Sequence, residues 1–245
     1  MKNSLQINPE KTAKFLLLTI SVLLIGQFIY LFTLLVKGYK FHHLTQIFDF
    51  NSEGNLPTLY SVLAILFAAM LLLFISFMIR SKDKTQQKYW LVLGIIFIFL
   101  AYDEASQMHE RLNVVTRALI PESRMDFLYF AWVIPYAILV IFVGLFFLKF
   151  LKSLPKRTMV LFIVAGAIFV TGAIGFEMLT SYFRGQNIVH LFITIEELME
   201  MVGIVVFIYS ILDYIKNNFG ETISIKFCNY SGVNLAISFR ALNTF

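Results

Sequence analysis

Six long apolar runs leave this chain few folds to choose from. They lie at about 15–36, 58–79, 89–113, 127–150, 158–183 and 189–214. Each is close to or above the roughly 20 residues that a helix needs to cross a bilayer. Backbone groups in hydrocarbon must satisfy one another, so runs of this length become helices. Hydrophobic residues make up 59% of the chain and charged ones 14%, whereas about a quarter of a soluble domain is charged. The expectation is an all-α integral membrane protein, a six-helix transmembrane bundle over residues 1–216, with a short cytoplasmic tail over 217–245. The tail contains "ISIKFCNYSGVNLAISF", two β-prone stretches about Ser231–Gly232. A β-hairpin and a loosely ordered tail both fit it.

Charge sets the orientation. Lys2, Lys11 and Lys14 precede the first run, which is longer than the apolar core of a secretory signal and reads as an uncleaved anchor. With the N-terminus inside, twelve basic residues collect on the cytoplasmic side: Lys2, Lys11, Lys14, Arg80, Lys82, Lys84, Lys88, Lys149, Lys152, Lys156, Arg157 and Lys216. Six collect outside: Lys37, Lys40, Arg111, Arg117, Arg124 and Arg184. That bias predicts both termini in the cytoplasm. The outer loop, about 37–57, is expected to lie on the outer surface as a short helix. Pro135 is expected to kink the fourth span. Ala167, Thr171 and Gly175 recur every fourth position on the fifth, a spacing that admits a neighbouring helix closely.

Several function classes fall away. The net charge of +5 is spread over short loops and is no footprint for nucleic acid. One cysteine, Cys228, allows neither an intramolecular disulfide nor a thiolate cluster. Phosphate loops, nucleophile elbows, HExxH and CxxC motifs are missing from the sequence. His42 and His43 read as plain polar loop residues, and Met178, Met199 and Met201 as packing.

The acids do not fit a plain bundle. Of fifteen Asp and Glu residues, seven fall in the outer half of the spans: Asp103, Glu104, Glu110, Glu177, Glu196, Glu197 and Glu200. A carboxylate at mid-bilayer costs roughly 3 kcal/mol, so such residues are functional candidates by default. On the sixth span "IVHLFITI" and "VGIVVFIYSIL" flank the acids, and neither flank spans alone. Only one helix through both does, and it buries Glu196, Glu197 and Glu200. At 1.5 Å per residue, Asp103, Glu104, Glu196 and Glu197 share a depth about 10 Å below the outer surface. His109, Glu110, Glu177 and His190 form a shallower layer. At 100° per residue each helix carries its acids on one stripe, and two facing stripes would enclose a polar chamber. A continuous third helix turns His109 away from that stripe, toward Tyr102 and Ser106, unless a kink near Ala105 brings it back. The Glu-x-x-His pair of ferritin-like di-iron bundles is missing.

Lys and Arg do not face these acids within the spans, so shared protons or a bound cation must offset them. Carboxylates with imidazole suit Fe, Mn or Zn, and carboxylates alone suit Ca or Mg. The first reading is therefore a membrane-embedded divalent metal site, ligated from Asp103, Glu104, His109, Glu110, Glu177, His190, Glu196, Glu197 and Glu200. It would serve hydrolysis or redox chemistry on a lipid-soluble substrate. The alternatives are a proton- or cation-coupled transporter and a non-catalytic assembly protein. Membrane lipids are the expected partners, and nucleic acid is not one.

Overall fold

Good caps start the first three long helices. Asn8 accepts from the N–H groups of Glu10 and Lys11, with Pro9 at the first helical position. Asn55 caps the second helix through Thr58 N–H, and Asp83 the third through Thr85 and Gln86 N–H. Each cap satisfies donors that the helix itself cannot.

The computed structural model describes residues 4–6, 8–37, 45–118, 127–219 and 224–226. Along it run β1 (Ser4–Gln6), α1 (Pro9–Phe32, ending in a π turn over Thr33–Lys37), α2 (Leu56–Ile79) and α3 (Lys84–Ser106). Then come α4 (Met108–Arg117), α5 (Val133–Ser153), α6 (Lys156–Tyr182, π-wound over Thr171–Phe176), α7 (Val189–Phe219) and β2 (Ser224–Lys226). α1, α2, α3, α5 and α6 are long and apolar enough to cross a membrane. Phe28, Phe77, Ile141, Phe142 and Leu145 point outward and are more than half exposed. A water-soluble monomer rarely carries that much contiguous apolar surface, and the build is that of a multi-pass membrane protein.

The core fills one half of the bundle. Leu72 and Ile75 of α2, Trp90 of α3 and Ile208, Ile211 and Ile215 of α7 are buried in one cluster. The Trp90 ring lies 5.0 Å from Phe150, 6.0 Å from Phe162 and 4.9 Å from Tyr214. At the same end Arg157 Nε donates to Asp213 Oδ2 at 2.9 Å and its Nη2 to Tyr209, pinning α6 to α7. α7 is the central element and packs against α1, α2 and α6.

Three sequence expectations change, and one lies outside the described residues. Pro135 falls in the first turn of α5, where its missing N–H has no intrahelical partner to lose, so it starts that helix instead of kinking it. The stripe of Ala167, Thr171 and Gly175 does not make the close approach: Ala167 and Thr171 are exposed, and a Cβ on Gly175 would meet only Thr171. The backbones of α6 and α7 meet instead at Gly172 and Gly203, where an added Cβ would come within 2.9 Å of the Glu196 carbonyl and 3.0 Å of Phe169. β2 pairs antiparallel with β1 at the other end of the chain; the hairpin about Ser231–Gly232 lies outside the described residues, as do His42, His43 and Cys228. The third helix, expected unbroken over 89–113, ends at Ser106.

Candidate functional site

The break is at Gln107. Its φ of 56° and ψ of 38° are left-handed, and it is the one described non-glycine residue with positive φ. A side chain in that conformation costs about 1–2 kcal/mol, so neighbouring contacts must hold it. Asp103 supplies them. Its carbonyl accepts the Gln107 N–H, and its Oδ1 accepts the His109 N–H at 3.0 Å. One carboxylate, buried near the end of α3, thus serves as the cap of α4.

This turn redirects His109. An unbroken helix would aim it away from the acids. After the break its Nδ1 lies 3.4 Å from Asp103 Oδ2 and its Nε2 3.6 Å from Glu53 Oε1, while its ring rests 4.8 Å from that of Trp132. The Tyr136 hydroxyl donates to Asp103 Oδ1 at 2.9 Å and fixes the carboxylate from α5. Burial alone would lower the pKa of His109, but the hydrogen bond and charge of Asp103, with Glu53 and Glu200 behind it, outweigh burial and raise it to about 9.

Glu53 was not among the sequence candidates. It sits in the 45–55 segment, which tucks over the bundle instead of lying on its outer surface. Phe50 is 4% exposed and packs with Ile20, Leu23, Met201 and Val205. Gln27, buried in α1, accepts the Phe50 N–H at 3.1 Å and donates to Thr194 of α7 at 3.0 Å. Asn55 donates to the carbonyls of Asp49 and Ser52, closing the turn that carries Glu53. The aromatic ring of Phe48 fills the space where Gly26 lacks a side chain. A buried amide in the middle of an apolar run was the available sign that a polar loop descends onto α1. Gly26→Leu is expected to displace Phe48 and this loop, weakening whatever Glu53 binds; unchanged cation affinity in that variant would detach the loop from the site.

Asp103, Glu104, His109, Glu110, Glu177, Glu196, Glu197 and Glu200 all line one cavity of about 150 Å³, with Glu53. The facing stripes predicted from helical spacing are therefore brought together. Trp132 Nε1 donates to Glu177 Oε1 at 3.0 Å, and Thr180 Oγ1 to Glu196 Oε2 at 3.3 Å. Glu177 comes directly after the π segment of α6. One extra residue in a turn rotates the rest of the helix by about 100°, and such bulges are frequent at functional sites. His190 does not line the cavity; its carbonyl accepts the Thr194 hydroxyl. Among the described residues, no Lys or Arg lines it either. Arg117 and Arg184 lie over the Tyr129 ring, 4.0 and 3.3 Å from its centroid.

At the mouth, one ligand atom each from Glu53, His109 and Glu110 lie within 4.8 Å of one another. Glu53 is half-buried, and its Oε2 is enclosed without a hydrogen-bond partner among the described residues. Burial raises its pKa to about 7, with the His109 charge opposing and Glu110, Glu104 and Asp103 adding to the rise. Glu110 is exposed, so the group opens outward. An orphaned carboxylate oxygen beside an imidazole whose other nitrogen is held by a carboxylate fits a divalent cation.

A family model described as a domain of unknown function (DUF8692) matches residues 15–214. That range holds every residue of the cavity. No curated protein and no solved structure matches the chain.

Proposed function

We propose that this chain, which belongs to the DUF8692 family, holds a divalent cation at the outer mouth of a carboxylate chamber in a six-span membrane bundle. The observation that carries the reading is the Glu53, His109 and Glu110 group, with ligand atoms within 4.8 Å of one another. His109 offers Nε2, while Asp103 holds Nδ1 and acts as a positioning residue. Two oxygens and one imidazole suit Fe, Mn or Zn. Three protein ligands leave coordination positions open, from which a bound ion can polarise water or a substrate oxygen. Glu104, Glu177, Glu196, Glu197 and Glu200 line the floor and hold protons or orient what the ion binds.

A membrane-embedded enzyme acting on a lipid-soluble substrate fits better than a transporter. Beyond Glu200, α7 continues through Ile204, Ile208, Ile211 and Ile215, all buried in the apolar cluster they share with α2, α3, α5 and α6. The groove that leads on from the chamber toward the other face has apolar walls, so among the described residues a cation would find no carboxylate along it. Metal analysis of purified protein tests the reading: about one Fe, Mn or Zn per chain is expected, and its loss on chelation should be reversible. Protein purified without chelator that carries no stoichiometric metal, and binds none when titrated, would overturn it.

The sixth crossing is α7. Its 31 residues span about 46 Å, more than the roughly 30 Å hydrocarbon core. The antiparallel pairing of β1 with β2 supports an even number of crossings, because it requires both ends of the bundle on one side. With the positive-inside bias that side is the cytoplasm. In protein lacking Cys228, a cysteine at Asn51 is expected to react with an impermeant thiol reagent from outside, and one at Ser81 only after permeabilisation. The reverse pattern would invert the orientation.

A cation must displace the His109 proton to bind Nε2. His109 is raised to about 9 and Glu53 to about 7, so binding releases protons across the neutral range. Apparent affinity is expected to rise with pH, about tenfold per unit for each proton released, and to level off above about 9. In metal-free protein the same groups act on stability. The His109 contribution is complete below its unfolded value of about 6.5 and is lost as pH rises through about 9. Glu53, raised from its ordinary 4.5 to about 7, costs stability as pH rises through that interval, so metal-free protein should weaken from about pH 4.5 to 9. Calorimetric titration at several pH values, with and without chelator, checks both slopes.

A further inference from the structure

A second cavity lies beside the chamber. It has a volume of about 880 Å³ and is a groove lined by α3, α5, α6 and α7. Sites for organic ligands occupy about 300–1,000 Å³. Its walls are aliphatic and aromatic, and they follow α5 from Tyr136 to Leu151, about 22 Å along the helix. The two cavities meet: Leu100, Trp132, Tyr136, Phe169 and Ala173 line both.

The gap is local. α5 is buried at Val133 and again at Phe147 and Phe150, and at no residue between. Gly144 of α5 and Gly166 of α6 face this opening, and a Cβ on either would meet nothing within 4 Å. Elsewhere α6 and α7 are in backbone contact at Gly172 and Gly203. The helices thus pack tightly beside the groove and stand apart along it.

The two ends of the joined space differ in chemistry. The long arm offers apolar contact to whatever enters from the membrane. The short arm offers Trp132 Nε1 and the Tyr136 hydroxyl, already donating to Glu177 and Asp103, and beyond them a surplus of carboxyl acceptors. A phosphate or carboxylate head would add negative charge to that surplus. A hydroxyl can donate to it.

We infer that the groove binds one long aliphatic chain of a lipid, with its hydroxyl head at the Trp132–Tyr136 junction facing the chamber carboxylates. This names a substrate class for the same chamber; it rests on the cation reading only for what happens at the head, since the chain site stands on the groove alone. The test uses full-length protein in phosphatidylcholine nanodiscs and hexadecanol carrying a mid-chain photoreactive diazirine. Crosslinks mapped by mass spectrometry are expected on α3, α5 and α6, and excess unlabelled hexadecanol should compete them away. Gly166→Phe and Gly144→Leu fill open space and should cut the competed labelling at least tenfold. Both should keep a cooperative melting transition close to that of the wild type under the same conditions, which shows that they fold. Chelation of the wild type should leave labelling in place, so loss of the cation reading would not be mistaken for loss of this one. Labelling that excess hexadecanol does not compete, or that persists in both filled variants, would overturn the chain site. Competition by hexadecyl phosphate as strong as by hexadecanol would overturn the hydroxyl head.

Discussion

His109→Ala is expected to weaken divalent-cation binding by more than about 100-fold and to abolish the thermal stabilisation that the cation gives. Removing an outer-shell partner of a ligating histidine typically costs about 10–100-fold, and here the ligand itself would go. At a cation concentration of 100 times the wild-type Kd, binding stabilises the native state by about 2.7 kcal/mol. For a chain of this size that corresponds to a melting-temperature gain on the order of 5–10 °C. The variant should melt at the same temperature with and without chelator. Asp103→Asn should fall between the two proteins, about 10–100-fold weaker, because the amide preserves the cap on the His109 N–H but no longer holds Nδ1 as a carboxylate does. A differential scan of the three proteins with Zn, Mn and chelator decides it. If His109→Ala kept the wild-type chelator response, the ion would have to sit elsewhere in the chamber.

The chamber was legible because its signal is periodic. Glu196, Glu197 and Glu200 share one side of a helix whose two flanks are each too short to span alone, so their depth and direction both follow from spacing. Asp103 and Glu104 follow by the same reasoning from the distance to Tyr89. His109 was not legible in this way. Its direction depends on one left-handed residue, Gln107, and glutamine carries no turn signature as glycine or asparagine would. The conformation is held by Asp103 and Tyr136, contacts that do not exist until α3 and α5 have packed. Glu53 was hidden for a similar reason: its position is set by the Gln27 amide and the Asn55 turn, across segments far apart in the chain. The small-residue stripe failed differently. Every fourth position gives a face, but α6 turns a different one inward: Thr158, Phe162, Ala165 and Gly172 are buried at heptad spacing, and Ala167 and Thr171 lie off that face.

Glu200→Gln is expected to act in opposite directions with and without metal. The substitution keeps the shape of the side chain and removes only its ionisable group. Glu200 lies deep on α7, lines the cavity with Glu104 and Glu197, and is a source of the negative potential felt by His109. With a cation bound at the mouth, a carboxylate on the floor attracts it. At an effective dielectric of about 20, one unit charge several ångströms away contributes on the order of 1–3 kcal/mol. The amide should therefore bind the cation about tenfold more weakly and melt lower than wild type when metal is present. After chelation the balance reverses, because the remaining acids then repel one another and removing one relieves the cluster. The chelated variant should melt at or above the chelated wild type. A chamber whose acids are offset by shared protons alone gives a different pattern: chelator leaves the wild type unmoved, and Glu200→Gln is neutral or stabilising in either condition. Melting curves of both proteins, with metal and with chelator, separate the two. A wild type indifferent to chelator would move the cation reading aside and leave a proton-coupled chamber as its successor.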